Sequence, residues 1–197
     1  MRPTQLLVLL FAAGVSAEEL GVETQAEPPV SMTVEGLVGL TTFTGEQARG
    51  LAVGPALGAR FGYRPGTIVG GEVAYEHGAY DLSDPRIIGS HAGSTDSLLG
   101  TLRLTLPTES FSPYVFLGLG ASRWSVPAVD NVREVYAPDL FLTVPAGAGV
   151  ETQLGTHLMA GARFAYDVLY GNSLLRDRGD IGGGAWSVTV DVGASLR

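Results

Sequence analysis

The chain has 197 residues, 45% of them hydrophobic and only 16% charged, and twelve cationic side chains face twenty acids for a formal net charge of −8. Ordinary soluble domains carry about 25% charged residues, so this surface is short of charge, and the negative balance argues against a nucleic-acid partner. Every cation is an arginine and there is no cysteine, which excludes a disulfide framework and a thiolate metal site.

The first seventeen residues, MRPTQLLVLLFAAGVSA, have one arginine, an apolar run from Leu6 to Val15 and small residues at Ser16 and Ala17. That is the layout of a secretory signal with cleavage after Ala17. The apolar run is about half of the ~20 residues a spanning helix needs, so an uncleaved anchor is the weaker reading. Residues 18–29 are acidic and end in two prolines, and read as a flexible lead-in. Residues 30–197 form the remaining domain.

From there the pattern has a period of two, the mark of strands with unlike faces. Met32, Val34, Val38 and Leu40 oppose Thr33, Glu35 and Thr41; Leu57, Phe61 and Tyr63 oppose Gly58, Arg60, Gly62 and Arg64. The same rule predicts strands at about 67–80, 96–106, 114–125, 139–151, 156–169 and 185–196, after the first two at 31–44 and 51–64. In SPYVFLGLGASRW, Val115, Leu117, Leu119 and Ala121 share one parity, and Gly118, Gly120 and Ser122 the other. In the last segment Trp186, Val188, Val190 and Val192 oppose Ser187, Thr189 and Asp191.

Connections around 64–66, 107–110 and 152–155 are short and carry Pro or Gly, whereas 81–95, 126–138 and 170–184 are long and polar. Eight strands with short turns at one end and long loops at the other predict an all-β, antiparallel, up-and-down barrel, closed and without edges. Its polar parity is mostly Gly, Ala, Ser and Thr with isolated charges, which suits a narrow interior. The Leu/Val parity suits hydrocarbon, which only a helix or a closed barrel can cross with its backbone satisfied. Val115, Leu117, Leu119, Val188, Val190 and Val192 are therefore expected to face lipid, and Phe61, Tyr63, Tyr75, Tyr166 and Trp186 to form interfacial girdles. Tyr114, Phe116 and Trp124 fall on the other parity. They either fill space above interior glycines or mark a slipped register.

PYVFLGLGAS at 113–122, PAGAGVETQL at 145–154 and MAGARFAYD at 159–167 resemble the later strands of the small OmpA-like and OmpW-like outer-membrane barrels, and the likeness spans about Ser31 to Arg197. The resemblance implies a monomer in the outer membrane of a Gram-negative-type bacterium, in contact with outer-membrane lipid. It also implies a structural or surface-interaction role through the three long loops. Such barrels usually end on an aromatic residue that the insertion machinery recognises; this sequence ends GASLR, a departure that leaves the efficiency and route of insertion open.

Counting back from the turns sets Arg60 opposite Glu72 and Glu72 beside Arg103, and Arg163 opposite Asp191 with Glu35 next to it. Two inward clusters are expected, Arg60/Glu72/Arg103 and Glu35/Arg163/Asp191, neutralising the lumen and obstructing a water path. The eight-stranded lipid A palmitoyltransferases and deacylases are the enzymatic alternative, with His91 near Ser94 and Asp96 as the candidate group. A third alternative, a soluble lipocalin-like binder, requires a large apolar cavity. No catalytic residue, cofactor or metal is expected: no phosphate-cradling loop, dinucleotide fingerprint or metal cluster is present in the sequence.

Overall fold

The computed structural model describes residues 31–48, 50–82, 89, 91–108, 111–133, 135–171 and 183–196; the expected signal segment, the lead-in and the tip of the last loop lie outside them. Eight strands follow one another: β1 (Ser31–Phe43), β2 (Gly54–Arg64), β3 (Val69–Leu82), β4 (His91–Thr105), β5 (Ser112–Ser125), β6 (Asp139–Gln153), β7 (Leu158–Tyr170) and β8 (Gly183–Leu196). Each pairs antiparallel with its neighbours in sequence, and β8 returns to β1 to close the barrel. A 3-10 turn at Gly45–Ala48 and a short helix α1 (Asp130–Arg133) are the helical pieces among the described residues.

The pairing fixes the tilt. The row of partners that leaves Val38 through Leu57, His77, Asp96 and Arg123 reaches β6 at Leu140. In the other direction it passes Val190 and Ala162 and reaches β6 at Val150, ten residues away. A stagger of that size tilts the strands strongly to the barrel axis. Tilted strands of this length, about ten residues or more, are what a bilayer core requires.

The two faces divide as the alternation requires. Val115 (54% accessible), Leu117 (51%) and Val190 (54%) point outward, while Arg60 (2%) and Asp191 (4%) are buried inside. A lipocalin-like interior is thereby ruled out, because the inside holds the charge and the outside the aliphatic surface. Exposed Leu, Val and Phe occur on the outward parity of every strand, and no described helix is long and apolar enough to cross a membrane.

Several boundaries differ from the sequence reading: β2 begins at Gly54, not 51, with Leu51 left as an isolated bridge to Leu82. β4 begins at His91, not near 96, and β3 runs on to Leu82, which pairs with His91. The segment HAGST has no apolar alternation to announce a strand, so the hairpin extends into what reads as loop. Residues 126–138 are not a free excursion either: Val132, Val135 and Tyr136 are buried. The register of β5 is regular, without a slip. Tyr114, Phe116 and Trp124 therefore point inward, over glycines on neighbouring strands: a Cβ on Gly147 would lie 2.6 Å from Phe116 Cζ, one on Gly149 would meet the Tyr114 ring, and one on Gly93 would meet Trp124.

Candidate functional site

The functional features of this barrel lie in its interior and at its two ends. Toward the turn end, four arginines and four acids gather inside. Arg60 on β2 places Nη1 2.9 Å from Glu35 on β1 and 3.7 Å from Asp191 on β8, and its Nε lies 3.7 Å from Glu72 on β3. Glu72 is the hub. It also receives Arg103 Nη1 at 3.2 Å and Arg163 Nη1 at 2.7 Å, and it accepts a hydrogen bond from Thr101 at 3.1 Å.

All six expected charges are inside; Glu72 meets both Arg60 and Arg103, whereas Arg163 pairs with Glu72 and not with Asp191, and the counted registers differ. Arg60 stands opposite Ala74 and Glu35, Glu72 opposite Gly62 and Thr101, and Arg163 opposite Thr189, with Asp191 opposite Gly161 and Leu37. The β2–β3 turn uses Pro65–Ile68, longer than a count centred on Gly66 allows, and the other counted registers shift by two as well. A shift of two keeps every side chain on its face while changing its neighbour. Two separate clusters are thus replaced by one, since Arg163 reaches across the interior from β7 to Glu72 on β3, not to Asp191.

Two members were missed. Glu151 forms an ion pair with Arg103 Nη2 at 2.7 Å and accepts a hydrogen bond from Arg64 Nη1 at 2.7 Å, extending the chain of pairs to the turn end. Both residues have inward parity, a signal the sequence carried. Aromatic rings brace the arginines: the Arg103 guanidinium lies 3.6 Å from the Tyr114 ring centroid and that of Arg163 lies 3.3 Å from Phe116, close enough for cation–π attraction.

Toward the loop end the chemistry changes. Ser122 Oγ lies 2.7 Å from Ser97 and 2.6 Å from Thr143, and the Tyr80 hydroxyl lies 3.2 Å from Thr41 and 3.4 Å from Thr95. Above these hydroxyls sits an apolar cluster of Phe43, Tyr80, Trp124, Val132, Tyr136 and Phe141, among others. Phe43 meets Tyr80 at 4.9 Å and Trp124 edge-on at 5.7 Å. α1 supplies Val132 to this cluster and the segment after it brings Tyr136 against Trp124, and the Tyr136 hydroxyl donates to the Gly50 carbonyl at 3.3 Å.

On the outer wall Phe61, Tyr63, Tyr75 and Tyr166 are exposed and Trp186 is half-buried beside Tyr166. Tyr75 lies midway along β3, not at its end, and its hydroxyl donates to Asp96 at 2.6 Å. Asp96 also contacts His77 Nδ1 at 2.9 Å. In the His91–Ser94–Asp96 grouping of the enzymatic alternative, Asp96 is engaged by His77 and Tyr75, and the backbone of His91 pairs with Leu82 at the strand start. Among the described residues no three His, Cys, Asp or Glu side chains gather as a metal site.

Residues 6–193 match the model of the outer membrane protein beta-barrel domain, and the chain belongs to that family. It is an eight-stranded transmembrane β-barrel of the Gram-negative outer membrane. Among solved structures it is similar to Neisserial surface protein A, at 14% identity and a TM-score of 0.58 over 86% of this chain and 99% of the other. It is also similar to Ail, the attachment invasion locus protein of Yersinia pestis, at 11% identity and a TM-score of 0.56 over 86% of this chain and all of that one. Ail in complex with the heparin analogue sucrose octasulfate matches at 11% identity and a TM-score of 0.54, over 85% and 97% of the two chains. No curated protein sequence matches the chain.

Proposed function

We propose that the protein is a closed, monomeric membrane anchor, without catalytic activity, that presents the segments 81–95, 126–138 and 170–184 outside the cell. Closure is carried by one observation, the balanced ion-pair cluster around Glu72, which ties β1, β2, β4, β7 and β8 to β3 through the middle of the lumen. The wall residues Val115, Leu117, Leu119, Val188, Val190 and Val192 meet acyl chains in this reading. Phe61 and Tyr63 mark one interface and Tyr75, Tyr166 and Trp186 the other.

The loop ligand differs in charge from the one seen with Ail. The three segments hold the acids Asp81, Asp84, Asp130, Glu134, Asp177 and Asp180 against Arg86, Arg133, Arg176 and Arg178, a balance unsuited to a sulfated polyanion. A neutral or weakly basic surface partner fits them better.

The test is reconstitution in planar lipid bilayers together with labelling of intact cells. No stepwise conductance is expected from the wild-type barrel, and an epitope inserted between 172 and 182 should bind antibody on intact cells while one inserted at 107–110 should not. Porin-sized current steps would overturn closure, and the reverse labelling would overturn the orientation.

A further inference from the structure

The interior charges balance only in the turn half. There, Arg60, Arg64, Arg103 and Arg163 meet Glu35, Glu72, Glu151 and Asp191. Two further acids lie above them with no arginine of their own. Glu76 on β3 and Asp167 on β7 line the same cavity of about 30 Å³, from strands on opposite sides of the barrel. Among the described residues neither acid forms an ion pair. Oδ1 of Asp167 is shut off from solvent and accepts no hydrogen bond. Arg163, four residues before Asp167, is committed elsewhere, to Glu72 and to the face of Phe116.

Such an arrangement is unfavourable as it stands. Both residues are half-buried, but a carboxylate oxygen shut off from water without a partner, as Asp167 Oδ1 is, is costly, and a second carboxylate lining the same space adds repulsion. The surroundings indicate what offsets it. Thr41, Thr95, Ser97, Ser122 and Ser187 also line the cavity. Tyr80 bonds with Thr41 and Thr95, and Ser97 bonds with Ser122, so their oxygens are held in place around it. Carboxylates with neutral oxygens are the ligand set of hard cations. The volume exceeds the ~10–15 Å³ that a single water requires, and is too small for an organic ammonium ion. Phe43 and Phe141 roof the space.

We propose that this chamber binds one small hard cation, of the sodium or calcium class, between the Glu76 and Asp167 carboxylates and the surrounding hydroxyls, fastening β3 to β7 across the loop half of the barrel. The site goes beyond the anchoring role and depends neither on closure of the lumen nor on any loop ligand.

To test it, the full chain is refolded from urea into zwitterionic detergent in sodium chloride, calcium chloride or N-methylglucamine chloride at equal ionic strength, so that ion entry into a finished barrel is not limiting. The midpoint of heat unfolding, read from the shift in gel mobility, should stand several degrees higher in sodium or in calcium than in N-methylglucamine. The double variant Glu76→Gln, Asp167→Asn should have one midpoint in all three salts. Equal midpoints for the wild type would overturn the site and leave protons to neutralise the two acids. A cation effect that persists undiminished in the double variant would overturn it too, by placing the ion elsewhere. Should the double variant fail to refold, equilibrium dialysis of the folded wild type against radioactive sodium and calcium decides: a single ion retained per chain supports the site, and none retained removes it.

Discussion

Inside the barrel, the turn half is held by charge and the loop half by hydroxyls under an aromatic roof. Around Glu72, three guanidinium groups converge on one carboxylate from β2, β4 and β7; around Ser122, two hydroxyls at 2.7 and 2.6 Å do the corresponding work. Both fill a space too narrow for large side chains on every strand, but the hydroxyls pair off with one another while the charged half leaves Arg60 Nε and Nη2 and Arg163 Nε without a hydrogen bond. The difference lies in what happens when a member is lost. A neutral hydroxyl leaves behind groups that rotate and find one another, whereas a charge leaves behind its counter-charges.

That contrast predicts its largest effect at the hub. Glu72→Ala strands the arginines at positions 60, 103 and 163, all buried, with Glu35, Asp191 and Glu151 as their remaining acids. Removing one partner of a buried pair typically costs about 3–5 kcal/mol, and a lowered midpoint of heat unfolding in detergent, with current leaking through reconstituted barrels, is the expected readout. Glu72→Gln should recover part of the loss, because the amide can still accept from Thr101 and Arg163 while lacking the charge. An unchanged midpoint in the alanine variant would mean that the interior charges are held by water and not by one another.

An intermediate effect is expected where the bracing aromatics meet bare backbone. Gly147 leaves room for Phe116, whose ring supports Arg163, and a Cβ there would also meet the Phe164 carbonyl. Gly147→Ala should therefore cost about 1–3 kcal/mol, as overpacking does. Gly36 faces outward, and the only atom within reach of its Cβ is the Val192 carbonyl at 4.0 Å, so Gly36→Ala should leave stability within about 0.5 kcal/mol. Equal losses at both glycines, measured by the same unfolding assay, would show that strand flexibility and not ring packing sets the cost.

These positions also explain what the sequence could and could not reveal. Strand count, direction of the faces and closure follow from a period of two, and a pairing error of two residues leaves all three untouched. Partner identity is more demanding. Arg163 finds Glu72 four strands away, a contact set by tilt and side-chain reach that no count across adjacent strands supplies. The inward rings of Tyr114 and Phe116 break the parity of β5 only when that strand is taken alone. Beside Gly149 and Gly147 on β6, their pairing neighbours, they fit. Arg64 and Glu151 were legible by parity but sit near strand ends, where an inward charge looks like the start of a turn. The cap formed by Val132, Val135 and Tyr136 had no periodic signal at all, since it is built from a loop that packs back on Trp124.

A much smaller effect than at the hub belongs to the hydroxyl half, and it separates the two regions most directly. Ser122→Ala removes two hydrogen bonds, but Ser97 remains beside a cavity large enough for a water to take up its lost bond. The net worth of such a bond is about 0.5–1.5 kcal/mol, so the midpoint should fall by far less than in Glu72→Ala. The conservative change Ser122→Thr keeps the hydroxyl yet adds a methyl where packing is close, and should match or exceed the alanine loss. If Ser122→Ala proved as damaging as Glu72→Ala, the hydroxyls would have to form a cooperative network with no slack, and the distinction between a charge-locked half and an adaptable one would fail.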